Sequence, residues 1–182
     1  MNSILVIRLT SLGDVLLTSP VIRALKNAYP AARVDVAVDS RYAEVWNDNP
    51  HIGNVVALEK GQEHNVRFAA YDLVIDVQRN RRSAAIVRAV SRVSKPIVVR
   101  YRKHRIEKLA MVYLKRKPRA LSHIVQRYLE PLRRLGIAVD SGGLELWPLP
   151  AQHPAVGQDV HPMRPRIGVA PGAQHFTKRY PQ

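Results

Sequence analysis

The 182-residue chain contains no cysteine, which excludes disulfides, thiolate-bound zinc and a cysteine nucleophile. Its seven histidines show neither HxH nor HxxxH spacing, so they predict no metal site. The longest apolar run, residues 109–114, is far too short to cross a bilayer, and the N-terminus lacks the basic-then-apolar pattern of a signal peptide. We therefore expect a soluble chain without a targeting segment.

Acidic residues are scarce. Fourteen Asp and Glu stand against 29 Lys and Arg, and the net charge is +15. Between Arg100 and Arg119 nine basic residues face one acid, Glu107. Such a run favours an anionic partner, namely nucleic acid, anionic lipid headgroups or phosphorylated small molecules, and the alternative is a solvated basic face without a ligand. Aromatic residues are only 6%, and no RNA- or DNA-reading motif is present, which counts against a nucleic-acid-binding module.

Short apolar segments alternate with helix-like segments along the first 147 residues, and this alternation predicts an α/β fold with a parallel sheet wrapped by helices. The predicted strands are 4–7, 33–38, 54–58, 71–77 and 96–99, and the predicted helices are 15–28, 42–48, 82–93, 106–115 and 123–135. Pro20 predicts either a kink in the first helix or a new N-terminus capped by Ser19. Gly136 is expected to end the last helix.

Five prolines fall within residues 148–165. This composition predicts a linker between a domain at 1–147 and a strand at 166–170 that begins a further element. We expect residues 166–182 to be the first strand and loop of an incomplete second domain.

The stretch RLTSLGDVLLTSP, residues 8–20, follows the first predicted strand. Ligands of open parallel sheets bind at this end of the strands. The stretch has neither the GxGxxG fingerprint of redox dinucleotides nor a P-loop. Gly13 allows the backbone to turn or to approach a ligand closely. Asp14 would lie in the first turn of the helix, where a carboxylate caps the helix or acts as a general base.

Two later stretches also place polar residues after predicted strands. Asp76 lies at the end of the predicted strand at 71–77, Gln78 and Asn80 follow it, and all three could line the same cleft. In PGAQHFTKR, Gly172 leaves room for a ligand, and Thr177 and Lys178 could bind phosphate oxygens. A solvated basic turn is the alternative for this second stretch.

Four stretches together resemble the heptosyltransferase family of lipopolysaccharide synthesis, glycosyltransferase family nine. They are ILVIRLTSLGDVLLTSPVIRALKNAYP (4–30), YDLVIDVQRNRRSA (71–84), HIVQRYLEPLRRLGI (123–137) and IGVAPGAQHFTKRYP (167–181). Arg79 stands where the family usually has glycine. Family members are also about twice as long.

The resemblance implies one half of a GT-B architecture, in which two Rossmann-like domains face each other across a cleft. It implies that Asp14 is the general base of an inverting transfer that needs neither metal nor cofactor. The acceptor cleft would include Thr10, Ser11, Gly13, Gln78 and Asn80, and the donor phosphates would lie at Gly172, Thr177 and Lys178.

The implied reaction transfers heptose from ADP-heptose to a phosphorylated lipid acceptor, the lipopolysaccharide core or lipid A, at the cytoplasmic face of the inner membrane. The basic run at 100–119 would bind the acceptor phosphates or the anionic membrane surface, and no specific nucleic acid is expected. This chain alone is expected to be inactive. A non-catalytic basic module for nucleic acid or an anionic surface is the alternative function, and steeply salt-dependent binding of duplex DNA without lipid preference would distinguish it.

Overall fold

The computed structural model describes residues 1–63, 65–102 and 123–147. Its centre is a five-stranded sheet in which every pairing is parallel and the strand order is β3-β2-β1-β4-β5. The strands are β1 Ser3–Ile7, β2 Arg33–Asp39, β3 Asn54–Leu58, β4 Leu73–Asp76 and β5 Ile97–Arg100. The predicted parallel α/β fold is confirmed.

Helices follow most strands. They are α1 Leu12–Leu16, α2 Ser19–Ala28, the 3₁₀ helix Ser40–Trp46, α3 Arg81–Val93 and α4 Ile124–Arg134. They lie on both faces of the sheet, because alternate residues of each buried strand belong to two separate apolar clusters. Ile4 and Val6 of β1 pack with α2 and α4, whereas Leu5 and Ile7 pack with α3.

The predicted single helix at 15–28 is two helices. α1 ends at Leu16, and α2 begins at Ser19 with Pro20 in its first turn, where the missing N–H of proline costs no hydrogen bond. Thr18, rather than Ser19, is the N-cap residue. The hydroxyl of Ser19 instead accepts a hydrogen bond from the backbone N–H of Glu145 at 2.9 Å.

Other predicted elements need smaller corrections. The predicted helix at 42–48 is the 3₁₀ helix, whereas α4 agrees with its prediction to within one residue at each end. Gly136 follows α4 with φ +72°, as expected for a residue that ends a helix. The predicted helix at 106–115, the linker and the strand at 166–170 lie outside the described residues. Within the described ranges, no helix has the length and apolar character needed to cross a membrane.

The strand order reverses at β1, since β2 and β3 lie on one side of it and β4 and β5 on the other. In open parallel sheets this reversal creates a crevice at the carboxyl ends of the strands. The loops after β1 and β4 meet there: Gln78 Oε1 accepts hydrogen bonds from the N–H groups of Leu9 and Thr10 at 3.1 and 3.3 Å. The chain therefore brings residues 8–14 and 76–80 together at the expected binding edge.

Candidate functional site

Asp14 lies in the first turn of α1, directly beyond the carboxyl end of β1. Its Oδ2 accepts hydrogen bonds from the hydroxyl of Ser11 at 3.3 Å and from the Ser11 N–H at 3.5 Å. Ser11 is the N-cap of α1, so the predicted capping role of Asp14 is present in the structure. The side chain is one-third exposed, which leaves it accessible from the crevice.

Two residues from distant parts of the chain also bind this carboxylate. Arg8 Nη2 forms an ion pair with Asp14 Oδ2 at 2.6 Å, and the hydroxyl of Tyr128 donates to Oδ1 at 3.2 Å. Arg8 also donates from Nη1 to the carbonyl of Val77 at 2.8 Å, and its side chain is only 8% exposed. The Asp14 carboxylate is thus fixed at both oxygens.

Tyr128 is held by its own neighbours. Its ring is buried on α4, makes an edge-to-face contact with Tyr101 at 5.4 Å between centroids, and lies 5.1 Å from the guanidinium carbon of Arg8. Burial raises the pKa of Tyr128 above its usual range, and the negative charge of Asp14 adds to this rise. Tyr128 therefore remains a protonated hydrogen-bond donor at neutral pH.

Asp76, which was predicted to line the cleft, is buried and stabilises the loop after β4. It is 1% exposed, and its Oδ1 accepts hydrogen bonds from the N–H groups of Gln78 and Arg79 at 3.1 and 2.7 Å. Its Oδ2 accepts from the hydroxyl of Ser83 at 3.0 Å. This loop in turn holds the β1 loop through Gln78, whose amide nitrogen also donates to the Thr10 hydroxyl at 3.4 Å.

Asn80 and Gly13 have local environments that sequence reasoning described only partly. Asn80 caps α3, and its side-chain oxygen accepts from the Ser83 N–H at 3.0 Å. Gly13 lies inside α1 without a positive φ, so the interpretation of Gly13 as a turn residue is wrong. A Cβ added there would meet no atom within 4 Å, which leaves open space beside Asp14 for a ligand.

An ion-pair network lies at the carboxyl end of β2. Asp39 accepts from Arg41 Nε at 2.8 Å and from Arg82 Nη1 at 3.0 Å, and Arg82 also pairs with Glu63. The hydrogen bond from Arg41 and the further one from Arg82 lower the pKa of Asp39 to about 2. Arg82, on α3, thereby ties the β2 end to the loop that contains Glu63.

The structure brings Thr10, Ser11, Gly13, Asp14 and Gln78 together at one edge of the sheet. Gly172, Thr177 and Lys178 lie outside the described residues, so their assignment to donor phosphates stays a prediction. Sequence reasoning missed Arg8 and Tyr128 as partners of Asp14. Both lie within stretches already identified as similar to the family, which was the one available signal.

Comparison with known proteins extends this similarity over most of the chain. The model of "Glycosyltransferase family 9 (heptosyltransferase)" matches residues 62–182. Lipopolysaccharide heptosyltransferase 3 of Escherichia coli K12 is 32% identical over 143 residues, which is 69% of this chain and 40% of that protein. The chain thus spans only about two fifths of this relative's length.

Two solved structures share the fold. The family 9 glycosyl transferase of Veillonella parvula matches 80% of this chain and 45% of its own, with a TM-score of 0.61 and 23% identity. The E. coli heptosyltransferase WaaC, solved with ADP-2-deoxy-2-fluoro heptose, matches 78% of this chain and 50% of its own, with a TM-score of 0.56 and 23% identity. Since the family model covers well over half of the residues, the chain belongs to glycosyltransferase family 9, the heptosyltransferases.

Proposed function

We propose that this chain forms the acceptor-binding half of a heptosyltransferase that uses ADP-heptose as donor. The observation that carries the proposal is the Asp14 carboxylate, which is fixed beside open space at the carboxyl edge of a family 9 chain. The relative solved with a fluorinated ADP-heptose supports a nucleotide sugar as the donor.

Asp14 is proposed as the general base, and its two oxygens differ in availability. Within the described part of the chain, Oδ2 interacts with Arg8 and Ser11, whereas Oδ1 accepts one hydrogen bond, from Tyr128. A carboxylate oxygen has two lone pairs, so Oδ1 keeps one that can accept the proton of an incoming hydroxyl. We assign proton acceptance to Oδ1.

The proposed reaction is a direct displacement at the anomeric carbon of heptose. As Oδ1 of Asp14 takes the proton, the acceptor oxygen forms the new C–O bond, and ADP leaves with the electrons of the broken bond. Attack from the face opposite the leaving group inverts the anomeric carbon, and no second carboxylate and no bound metal are required. The charge that develops on ADP would be stabilised by Lys178, Thr177 and the backbone at Gly172.

The acceptor is proposed to be a phosphorylated lipid, the lipopolysaccharide core or lipid A. The basic run at 100–119, with nine Lys and Arg against one acid, favours phosphates or an anionic membrane surface. We accordingly infer a peripheral location at the cytoplasmic face of the inner membrane. No specific nucleic-acid partner is invoked.

Asp14→Asn and Asp14→Ala test the base in a protein that completes this chain with a second domain. Both variants should lower heptosyl transfer from ADP-heptose at least about 100-fold, since neither side chain accepts a proton at neutral pH. Asparagine keeps one acceptor oxygen, for either Arg8 or Tyr128, whereas alanine keeps none, so the loss of stability should be smaller for asparagine. Transfer rates and urea unfolding of both variants are the measurements.

Asp72→Asn is the matched control. Asp72 is exposed and accepts hydrogen bonds from the N–H groups of Asn2 and Ser3 at the opposite, amino end of the strands. Its substitution should leave the transfer rate within about twofold of the parent. Full activity of Asp14→Asn would refute the base and leave Asp14 with its capping role alone.

A further inference from the structure

A cavity of about 210 Å³ lies over the first residues of β2 and β3, on the face of the sheet that packs against α3. The described residues that line it include Asp35 of β2, Asn54 of β3, and Arg67, Phe68 and Tyr71 from the connection between β3 and β4. The crevice around Asp14 is at the other end of the strands. Asp39, where β2 ends, lies four residues or about 13 Å further along the strand than Asp35. The cavity is therefore separate from the proposed active site.

Asp35 is the buried polar residue of this cavity, and its two oxygens have different surroundings. Oδ2 accepts a hydrogen bond from the Tyr71 hydroxyl at 2.7 Å and forms an ion pair with Arg33 Nε at 3.1 Å. Oδ1 is buried and has no hydrogen-bond partner in the part of the chain that the structure describes. Because a buried acceptor without a donor is costly, Oδ1 is a place where a bound molecule can supply the missing hydrogen bond.

Gly53 leaves Oδ1 uncovered on the side of β3. A Cβ at this position would lie 2.5 Å from Cγ of Arg33 and 3.3 Å from Oδ1 of Asp35. Any other residue would therefore displace the Arg33 side chain and press against the unpartnered oxygen. Gly53 directly precedes Asn54, which lines the cavity, so Oδ1 is on the cavity side of Asp35.

Two exposed side chains beside Asp35 are available to the same bound molecule. Asn54 lies opposite Asp35 in the pairing of β2 with β3, and Arg67 comes from the connection to β4. Neither side chain forms a hydrogen bond or ion pair with another residue in the ranges 1–63, 65–102 and 123–147. Asn54 can donate and accept, and the Arg67 guanidinium donates, so the cavity combines these groups with the free acceptor of Asp35.

The charges around the cavity favour a neutral ligand. The Asp35 carboxylate repels an anion such as phosphate, and the guanidinium groups of Arg33 and Arg67 repel an ammonium group. A hydroxyl carries no charge, donates one hydrogen bond and accepts two. Several hydroxyl groups on one small molecule therefore match the mixture of donors and acceptors better than either ion does.

We propose that this cavity binds a small neutral polyhydroxylated molecule of the size of one monosaccharide. One hydroxyl donates to Asp35 Oδ1, and neighbouring hydroxyls pair with Asn54 and Arg67. Pockets for drug-sized ligands measure about 300–1,000 Å³, so the smaller cavity limits the ligand to about one ring. The Arg33 side chain is 49% exposed, and a small rotation of it opens Oδ1 to the ligand. The inference does not depend on the proposed function.

NMR titration of the 182-residue chain with D-glucose tests the site. The backbone amide signals of Gly53 and Asn54 should shift and saturate, and so should the carboxylate carbon of Asp35. The Asp14→Asn variant should bind glucose as the parent chain does, because Asp14 is at the other end of the strands. Without a saturable shift at Gly53, Asn54 and Asp35, or with glucose binding lost in Asp14→Asn, the proposal is wrong, whatever the transfer activity of that variant.

The double variant Asn54→Ala with Arg67→Gln should weaken glucose binding at least fivefold. It removes the two exposed partners of the ligand and keeps the contacts of Asp35 with Tyr71 and Arg33. Its matched control is Asn65→Ala with Arg88→Gln, which makes the same two replacements at exposed positions that do not line the cavity. The control should change the affinity less than twofold, and equal weakening in both double variants would overturn the proposal.

Three further probes compare classes of ligand in the same titration. Inorganic phosphate, ethanolamine and glycine represent an anion, a cation and a zwitterion. Each should bind at the signals of Gly53 and Asn54 more weakly than glucose does. Tighter binding of phosphate would show that the guanidinium groups select the ligand, and tighter binding of ethanolamine or glycine would show that the carboxylate binds an ammonium group. Either result would refute a site for neutral hydroxyl groups.

Discussion

At the scale of single residues, the two oxygens of Asp14 have different surroundings. Oδ2 is held by the nearly buried Arg8 guanidinium, and Oδ1 by the hydroxyl of Tyr128. Because the Arg8 side chain is also fixed by the Val77 carbonyl, the carboxylate has little freedom to rotate. A base that is oriented before substrate arrives needs less rearrangement during the reaction.

Tyr128→Phe should lower the transfer rate in a protein completed by a second domain. The variant keeps the ring against Tyr101 and Arg8 and removes only the hydroxyl that orients Asp14 Oδ1. We expect kcat to fall about tenfold with little change in KM and a loss of stability of no more than about 1 kcal/mol. Steady-state kinetics and urea unfolding are the measurements.

Tyr101→Phe is the control, because it removes a hydroxyl from the neighbouring ring without touching Asp14. It should keep kcat within about twofold. An unchanged kcat in Tyr128→Phe would show that Arg8 and Ser11 alone position the carboxylate.

The lowered pKa of Asp39 predicts that the folded chain becomes less stable at acid pH. Hydrogen bonds from Arg41 and Arg82 lower its pKa to about 2 from the ordinary 3.8, so its contribution is complete above pH 5 and is lost as the pH falls to 2. The loss amounts to about 2 kcal/mol. Between pH 5 and pH 2, the free energy of unfolding in urea should fall by about 2 kcal/mol less in Asp39→Asn than in the parent chain.

Glu44→Gln provides the control for that measurement, since Glu44 is exposed on the 3₁₀ helix that follows Asp39. Its unfolding free energy should follow that of the parent chain across the same pH range. A parallel fall in Asp39→Asn and the parent chain would show that the network at the end of β2 adds no acid-sensitive stability.

At the scale of elements, the strands were the most predictable part of the fold. Residues 54–58 were predicted and observed with identical bounds, β1 and β2 deviate by one residue at one end, and β5 deviates by one residue at each end. The apolar runs of β1 and β2 are buried on both faces, whereas β3 and β5 are apolar runs that remain partly exposed. The break between α1 and α2 was harder to locate, because Pro20 is compatible with both a kink and a new helix start.

The partners of Asp14 could not be derived from local sequence. The location of Asp14 at the carboxyl edge of the sheet was predictable, because it lies in the first helical turn after β1. Tyr128 is 114 residues away, and its approach depends on how α4 docks over the sheet. From the sequence alone, Arg8 could have been a solvent-exposed residue just after β1. Its ion pair with Asp14 depends on how the backbone turns between β1 and α1.

Arg79 yields a prediction about the loop after β4. With φ +48°, it adopts a left-handed conformation that glycine accepts without strain, and it occupies the position where the resemblance places glycine. Arg79→Gly and Arg79→Ala both lose the hydrogen bond to the Tyr101 carbonyl. The glycine variant should therefore be more stable than the alanine variant by about 1 kcal/mol in urea unfolding. An alanine variant at least as stable as the glycine variant would contradict a strained backbone at position 79.

At the scale of the whole molecule, residues 140–147 connect the last helix back to α2. Arg23 of α2, with a side chain only 11% exposed, pairs with Asp140 and with Glu145, the latter at 2.7 Å. The hydrogen bond with Asp140 chiefly raises the pKa of Arg23. Beyond these ion pairs, His51 makes an edge-to-face contact with Trp147 at 6.3 Å between centroids.

These contacts predict where the chain can be shortened. Residues 1–147 contain all five strands that the structure describes and the helices packed on both faces of the sheet, so this fragment should unfold in one cooperative transition. A fragment of residues 1–139 lacks both acids that pair with Arg23, and it should be less stable by about 2 kcal/mol. Urea unfolding followed by circular dichroism compares the two fragments.

The double variant Asp140→Asn with Glu145→Gln in the 1–147 fragment distinguishes the stability that comes from the ion pairs from the stability that comes from the packing of residues 140–147. The double variant removes both ion pairs and keeps the Ser19 hydrogen bond and the His51–Trp147 contact, so it should lie between the two fragments in stability. If 1–139 were as stable as 1–147, the segment would contribute nothing to the fold. Loss of cooperativity in the 1–147 fragment would show instead that the sheet and its helices depend on residues beyond 147.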